Sequence, residues 1–242
     1  IIQMQGASIS TNNNSTYGAV TAYNSAGMYE FARVSARPNS TSITLSTGLR
    51  NSYNNSGKTQ VIRVPRYTTL TINSGRSITC PDWDGSTGGV VAVEATQTVT
   101  INGSINANGK GFRGGVVEQN TVTPGTPSTY RTTSNAEGAE KGESIAGPAS
   151  ILGNGAFGRV APANGGGGGN AHNGGGGGGS NAGSGTWTGN GNPDNSNANW
   201  TTAWNLESVG FSSTTSPGGG RGGYSWSSNG RNPITTAPGN AG

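Results

Sequence analysis

The sequence predicts an all-β fold: a parallel β-helix-like (solenoid) N-terminal part, then a glycine-rich region. Three observations carry this expectation. Glycine supplies 45 of 242 residues and charged residues only 10%, and the accompanying Asn, Ser and Thr are also weak helix formers. Short β-branched runs alternate with turn residues through the first 115 positions. One such run then recurs at a spacing typical of stacked coils. The same composition excludes other classes. No apolar run approaches the roughly 18–20 residues of a membrane-spanning helix. The lone Cys80 cannot build a disulfide scaffold. A net charge of +4 on a chain with apolar strands is unlike charge-driven disorder.

The strand signals fall in order at Ser42-Ile43-Thr44-Leu45, Gln60-Val61-Ile62-Arg63-Val64, Thr69-Leu70-Thr71-Ile72, Gly89-Val90-Val91-Ala92-Val93 and Thr98-Val99-Thr100-Ile101. Each shows partial period-2 alternation and is bounded by Gly, Pro, Asn or Ser. Pro65 closes its run at a strand end, where a missing N–H costs least. Thr69-Leu70-Thr71-Ile72-Asn73 with Ser77-Ile78 is echoed by Thr98-Val99-Thr100-Ile101-Asn102 with Ser104-Ile105, at offsets of 29 and then 27 residues. Stacked coils would set Leu70 over Val99 and Ile72 over Ile101; a sandwich with two similar hairpins is the alternative. The expected organisation is a strand region at 1–115, a connecting segment at 116–163 and a Gly/Asn/Trp-rich region at 164–242. The first residues, Ile1-Ile2-Gln3, read as the middle of a strand, and the end lies in glycine-rich sequence, so the chain is expected to be a fragment of a longer parent.

Glycine fills positions 165–169 and 174–179 around the spacer Asn170-Ala171-His172-Asn173. Such runs have two readings. One is a solvated flexible linker. The other is a bundle of extended three-residue-per-turn (polyglycine II) helices, whose backbone groups find partners on neighbouring segments because they have none within the helix. Ordering so many glycines costs backbone entropy that only an extensive lattice offsets.

Few residues carry catalytic or metal-binding signals. The ten carboxylates offer one close pair, Asp82 and Asp84 in Cys80-Pro81-Asp82-Trp83-Asp84-Gly85, with Glu94 on a nearby strand. Paired carboxylates in a cleft would suit polysaccharide cleavage. A turn with Asp84-Gly85 as its corner explains them more simply. The calcium-loop pattern fails at its later positions, His172 has no partner set for a metal, and Cys80 reads as a small packed apolar residue. Gly109-Lys110-Gly111-Phe112-Arg113-Gly114-Gly115 lacks the Lys-Ser/Thr ending of a phosphate loop. The 14 basic residues form no cluster for nucleic acid. No cofactor and no metal are expected. The candidate ligand-binding set is aromatic: Trp187, Trp200, Trp204, Tyr224 and Trp226 lie among Asn, Ser, Thr and Gly, a mixture suited to stacking on and hydrogen bonding to glycans. Packing in a side-chain-poor fold is the competing role.

A series of segments in order carries a family resemblance: Ile1-Ile2-Gln3-Met4-Gln5-Gly6-Ala7, Tyr17-Gly18, Ala26-Gly27-Met28-Tyr29-Glu30, Gln60-Val61-Ile62-Arg63-Val64-Pro65-Arg66-Tyr67, Trp83-Asp84-Gly85-Ser86-Thr87-Gly88-Gly89-Val90, the 109–115 loop, Lys141-Gly142-Glu143-Ser144-Ile145-Ala146 and the glycine block at 164–179. Together they resemble a glycine-rich region of very large cell-surface and secreted proteins of Bacteroidetes, with similar regions in myxobacterial proteins, some of them gliding-motility-associated or adhesin-like. Residues 164–223 more loosely resemble glycine-lattice tips of bacteriophage tail-fibre adhesins. These likenesses imply type IX secretion, display outside the cell and the packed form of the glycine block. They imply no catalytic residues.

The expected function is therefore a non-enzymatic extracellular module for adhesion or surface-filament architecture, with a host or environmental polysaccharide or surface, or copies of itself, as partner. Neither nucleic acid nor membrane insertion of this segment is expected. A β-helix polysaccharide lyase or hydrolase is the alternative. Ice binding, from the Thr-x-Thr pairs Thr69/Thr71 and Thr98/Thr100, ranks below it because two rows make a short array.

Overall fold

A computed structural model describes residues 1–13, 16–116, 130–135, 138–148, 150, 152, 155–158, 160–169, 176 and 179. It is an all-β chain: among these residues the one helix is a single 3-10 turn, Asn55–Gly57, and twelve short strands make the ladders. Backbone contacts divide it into two compact units. The first joins Ile1–Gln5 to Ser25–Phe112, and the second joins Gly6–Asn24 to the described residues from Arg113 onward.

In the first unit β1 (Ile2–Gln3) pairs antiparallel with β6 (Thr59–Gln60), and β4 (Val34–Ala36) pairs antiparallel with β5 (Thr44–Leu45). The longer-range order is parallel. β7 (Arg66–Tyr67) pairs with β10 (Glu94–Ala95), β8 (Leu70–Ile72) with β11 (Val99–Ile101), and β9 (Ser77–Ile78) with β12 (Ser104–Ile105). Leu70 is set beside Val99 and Ile72 beside Ile101, the alignment expected from the near-repeat. Ser77 meets Ser104 two residues earlier in the count, so the deletion is absorbed in the turn at Asn73–Arg76, which the second run replaces by Asn102-Gly103. A side chain at 103 would collide with backbone and side-chain atoms of Asn73, Arg76 and Ile72. Ile72 is the buried residue of this stack. Not every β-branched run is a strand. Residues 61–64 and 89–93 carry no ladder, because alternation marks a half-buried extended chain while a ladder also requires an aligned neighbour.

Side-chain amides replace ladder bonds where the strands stop. Gln60 donates from Nε2 to the Gly88 carbonyl and accepts from the Gly88 N–H, both at 3.0 Å. Gln3, fully buried, donates to Gln5 O and accepts from Asn54 N, each at 2.8 Å. An amide carries both a donor and acceptor, so each Gln satisfies two backbone groups. Gly88 must be glycine twice over: its φ is +98° and a Cβ would strike the backbone of Asp82.

In the second unit β2 (Ser8–Ile9) and β3 (Val20–Ala22) form an antiparallel hairpin. Its turn buries Tyr17 against Val160, with Tyr130 packed beside them; Ala146 and Leu152 form a second small cluster with Ile9 and Ala156. The other buried positions are small or polar, including residues 165–169, Ala161, Ala163, Lys141, Glu143 and Ser144. This unit is held more by backbone pairing than by apolar side chains.

Candidate functional site

The acidic turn of the first unit sits on residues 81–89. Asp84 Oδ1 accepts from the N–H groups of Ser86 (2.8 Å) and Thr87 (2.7 Å), and Oδ2 accepts from the Thr87 hydroxyl (3.2 Å). These bonds, led by the one from Thr87 N, hold its carboxyl below the usual range. Gly85, at φ +93°, takes the corner that a side chain disfavours. Asp84 is thus a turn residue, as the simpler sequence reading has it. Asp82 pairs with Lys110 Nζ across the two passes; that hydrogen bond raises the lysine pKa. Glu94 pairs with Arg66 at 3.2 Å. Each of the three acids weighed for cleavage therefore has a structural partner. Among the described residues no cluster of three or more His, Cys, Asp or Glu could hold a metal.

The 109–115 loop is engaged structurally. Lys110 reaches Asp82, and Phe112 stacks edge-on against the buried Trp83 ring at 5.4 Å between centroids. Arg113 supplies both its N–H and Nε to Glu143 Oε2 at 3.2 Å. Cys80 is buried and forms no disulfide.

The second unit's main feature is the environment of the first glycine run. Residues 165–169 are buried, and the segment 139–143 beside them sends its N–H groups to several neighbours. Ala139 donates to Gly169 O (2.8 Å) and Gly142 to Gly166 O (2.7 Å); between them Lys141 donates to Ala156 O (2.9 Å), and Glu143 to Arg113 O (2.9 Å). The donors to the glycine run are three residues apart, and so are their acceptors. A β-strand alternates its backbone groups between two sides with period two; here three neighbours are served. Gly158 links the set, donating to Ala139 O and accepting from Gly168 N, both at 3.0 Å. A Cβ at Gly142, Gly165 or Gly168 would lie at 3.0 Å or less from neighbouring backbone. None of these three has a left-handed φ, so glycine is required there by proximity and not by dihedral freedom.

Lys141 pins this arrangement. It is only 1% exposed, and its Nζ donates to the carbonyls of Tyr130 (3.1 Å), Gly158 (2.9 Å) and Val160 (2.5 Å), 4.5 Å from the Tyr17 ring centroid. Burial, with the Arg131 charge adding to it, holds its pKa well below the usual lysine range. Burial raises the phenol of Tyr17, whose OH donates to Gly155 O at 3.0 Å. The sequence assigned no role to Lys141, Glu143 or Gln60, because nothing local to them marks a polar side chain for burial.

The five aromatic residues Trp187, Trp200, Trp204, Tyr224 and Trp226, and also His172, lie outside the described residues. No helix among the described residues is long and apolar enough to cross a membrane. Compared with known proteins, the chain matches no family model, no curated protein and no solved structure.

Proposed function

We propose that this chain is a non-enzymatic extracellular module for adhesion or surface-filament architecture, built from a β-helix-like stack and a packed polyglycine II bundle, and exported and displayed at the cell surface. The observation that carries the reading is the buried glycine run at 165–169, paired to a neighbouring segment at every third residue. Period-three backbone pairing to several neighbours is the property that makes glycine a building material rather than a linker. The parallel pairs at near-constant offset support the stack. The carboxylates of the competing lyase or hydrolase reading are engaged in a turn and in ion pairs, which favours the architectural one.

Glycan recognition through Trp187, Trp200, Trp204, Tyr224 and Trp226 is the adhesive branch of this proposal. It is tested by glycan-array and polysaccharide binding of the purified chain beside a Trp200→Ala, Trp204→Ala, Trp226→Ala triple variant. Selective binding that disappears in the variant is the expected result. Absence of binding by the folded wild type would remove the adhesive branch, and polymer cleavage by it would overturn the non-enzymatic reading.

A further inference from the structure

The parallel stack of the first unit ends in two open edges. Each of its three sheets has two strands, and among the described residues neither outer edge pairs with a further strand. The outward groups follow from the register. Leu70 N donates to Thr98 O, and Asn102 N donates to Ile72 O, with Leu70 opposite Val99 and Ile72 opposite Ile101. In a parallel ladder a residue bonds to the two positions flanking its partner. Thr98, Thr100 and Asn102 therefore face inward, and the N–H and C=O of Val99 and Ile101 face out. By the same rule Thr71 presents its backbone groups on the opposite edge.

The strands are short and charged residues flank them, but Val99, Ile101 and Ile105 are about half exposed, and neither proline nor a bulge interrupts these three pairs. The two edges also match. The second pass repeats the first, so its outer edge offers a subsequent pass nearly the same surface that Leu70, Thr71, Ile72 and Ile78 offer it within the molecule. Charge agrees with this register: one edge carries Glu94 and Lys110, the other Arg66 and Asp82, and these already pair inside the chain as Arg66 with Glu94 and Asp82 with Lys110.

We propose that this chain stacks head to tail on a second copy, the outer edge at 94–105 of one molecule receiving the outer edge at 66–78 of the next. The internal register is continued, with the next copy's Leu70 beside Val99, its Ile72 beside Ile101, its Arg66 beside Glu94 and its Asp82 beside Lys110. Such an interface is heterologous: it uses different surfaces on the two molecules and does not close by two-fold symmetry, so it yields linear polymers. The inference deepens the filament branch of the proposed function and rests on its coil-stack reading. It is independent of glycan recognition.

Sedimentation velocity and electron microscopy of the full chain over a concentration series test it. Wild type is expected to form linear polymers that lengthen with concentration. Ile101→Pro removes one outward N–H while leaving the inward bonds in place, and is expected to raise the assembly concentration by about tenfold. Glu94→Arg sets like charges against each other and weakens assembly, and adding Arg66→Glu restores it; these exposed positions keep the test intact if the proline variant fails to fold. A wild type that stays monomeric up to its solubility limit, a closed dimer, or polymers indifferent to all three variants would overturn the proposal. Loss of glycan binding in the tryptophan variant with polymers unchanged would remove the adhesive branch alone.

Discussion

Replacing Gly168 by alanine probes the packed glycine run directly. Gly168 donates to Gly158 O at 3.0 Å, Gly158 donates to Ala139 O at 3.0 Å, and Ala139 donates to Gly169 O at 2.8 Å. A Cβ at 168 would stand 2.6 Å from the Ala139 carbonyl carbon and 2.9 Å from Glu140 O, and closer still to Ala139 O. Ordinary contact needs about 3.5–4.0 Å. Everything in the way is backbone, so no rotamer change relieves the clash, and retreat of Ala139 stretches two of the three bonds. Overpacking of this kind costs about 1–3 kcal/mol, and each weakened hydrogen bond adds about 1 kcal/mol. The expected loss is about 3–5 kcal/mol. Gly114→Ala is the control in the same unit: nothing lies within 4 Å of its Cβ and its φ is not left-handed, so the reduced entropy of the unfolded chain should leave stability unchanged or higher by about 0.5 kcal/mol. Hydrogen exchange read at Ala139, Gly142, Gly158 and Gly168 measures the difference. Gly168→Ala should speed exchange at these amides by roughly a hundredfold or more, since about 1.4 kcal/mol is tenfold, and Gly114→Ala should not. Equal exchange in the two variants would refute the packed run.

Two further predictions concern charge. Asp84→Asn keeps an acceptor for the Ser86 and Thr87 N–H groups and should leave the urea midpoint of the first unit nearly unchanged. Asp84→Ala removes the acceptor and should lower that midpoint; a larger drop for Asn than for Ala contradicts the turn assignment. For Lys141 the folded pKa lies well below the unfolded value of about 10.4. Between the two the unfolded chain binds more protons, so stability rises with pH through that window and the gain is complete above about 10.4. Tyr17 has the opposite sign: its folded pKa is raised, so its contribution is present below about 10 and lost as pH climbs toward the folded value. Chemical denaturation of the second unit should therefore show a maximum near pH 10. Lys141→Met should flatten the rise and cost about 2 kcal/mol near the maximum, where the amine is neutral and two of the buried carbonyls lose a donor. The difference should narrow toward pH 7. A wild-type curve that falls between pH 8 and 10 would contradict this.

The sequence by itself determined the all-β class, because a chain dominated by Gly, Asn, Ser and Thr has weak helix propensity and its β-branched runs alternate. It also indicated which residues would lie side by side, Leu70 with Val99 and Ile72 with Ile101, while only the tertiary structure decided that they pair in parallel. Leu70 and Val99, or Ile72 and Ile101, occupy equivalent places in a repeated run, and identical side-chain patterns stack best in register. The Asp84-Gly85 corner was equally legible, since an aspartate before glycine supplies its own local acceptor. What local pattern could not determine was which distant backbone groups meet. Only the tertiary structure joins Gly6–Asn24 to the residues beyond Arg113, for instance through Ala7 N on Ile145 O, because neither segment carries a complementary signature. It alone gives residues 165–169 their bonded neighbours: a glycine run has no side chain to show a preferred face, so its burial depends on groups 10 to 30 positions away, from Gly158 to Ala139. It likewise gives Lys141 and Gln60 their roles, since a buried polar group is fixed by the carbonyls and amides gathered around it, and those arrive from elsewhere in the chain.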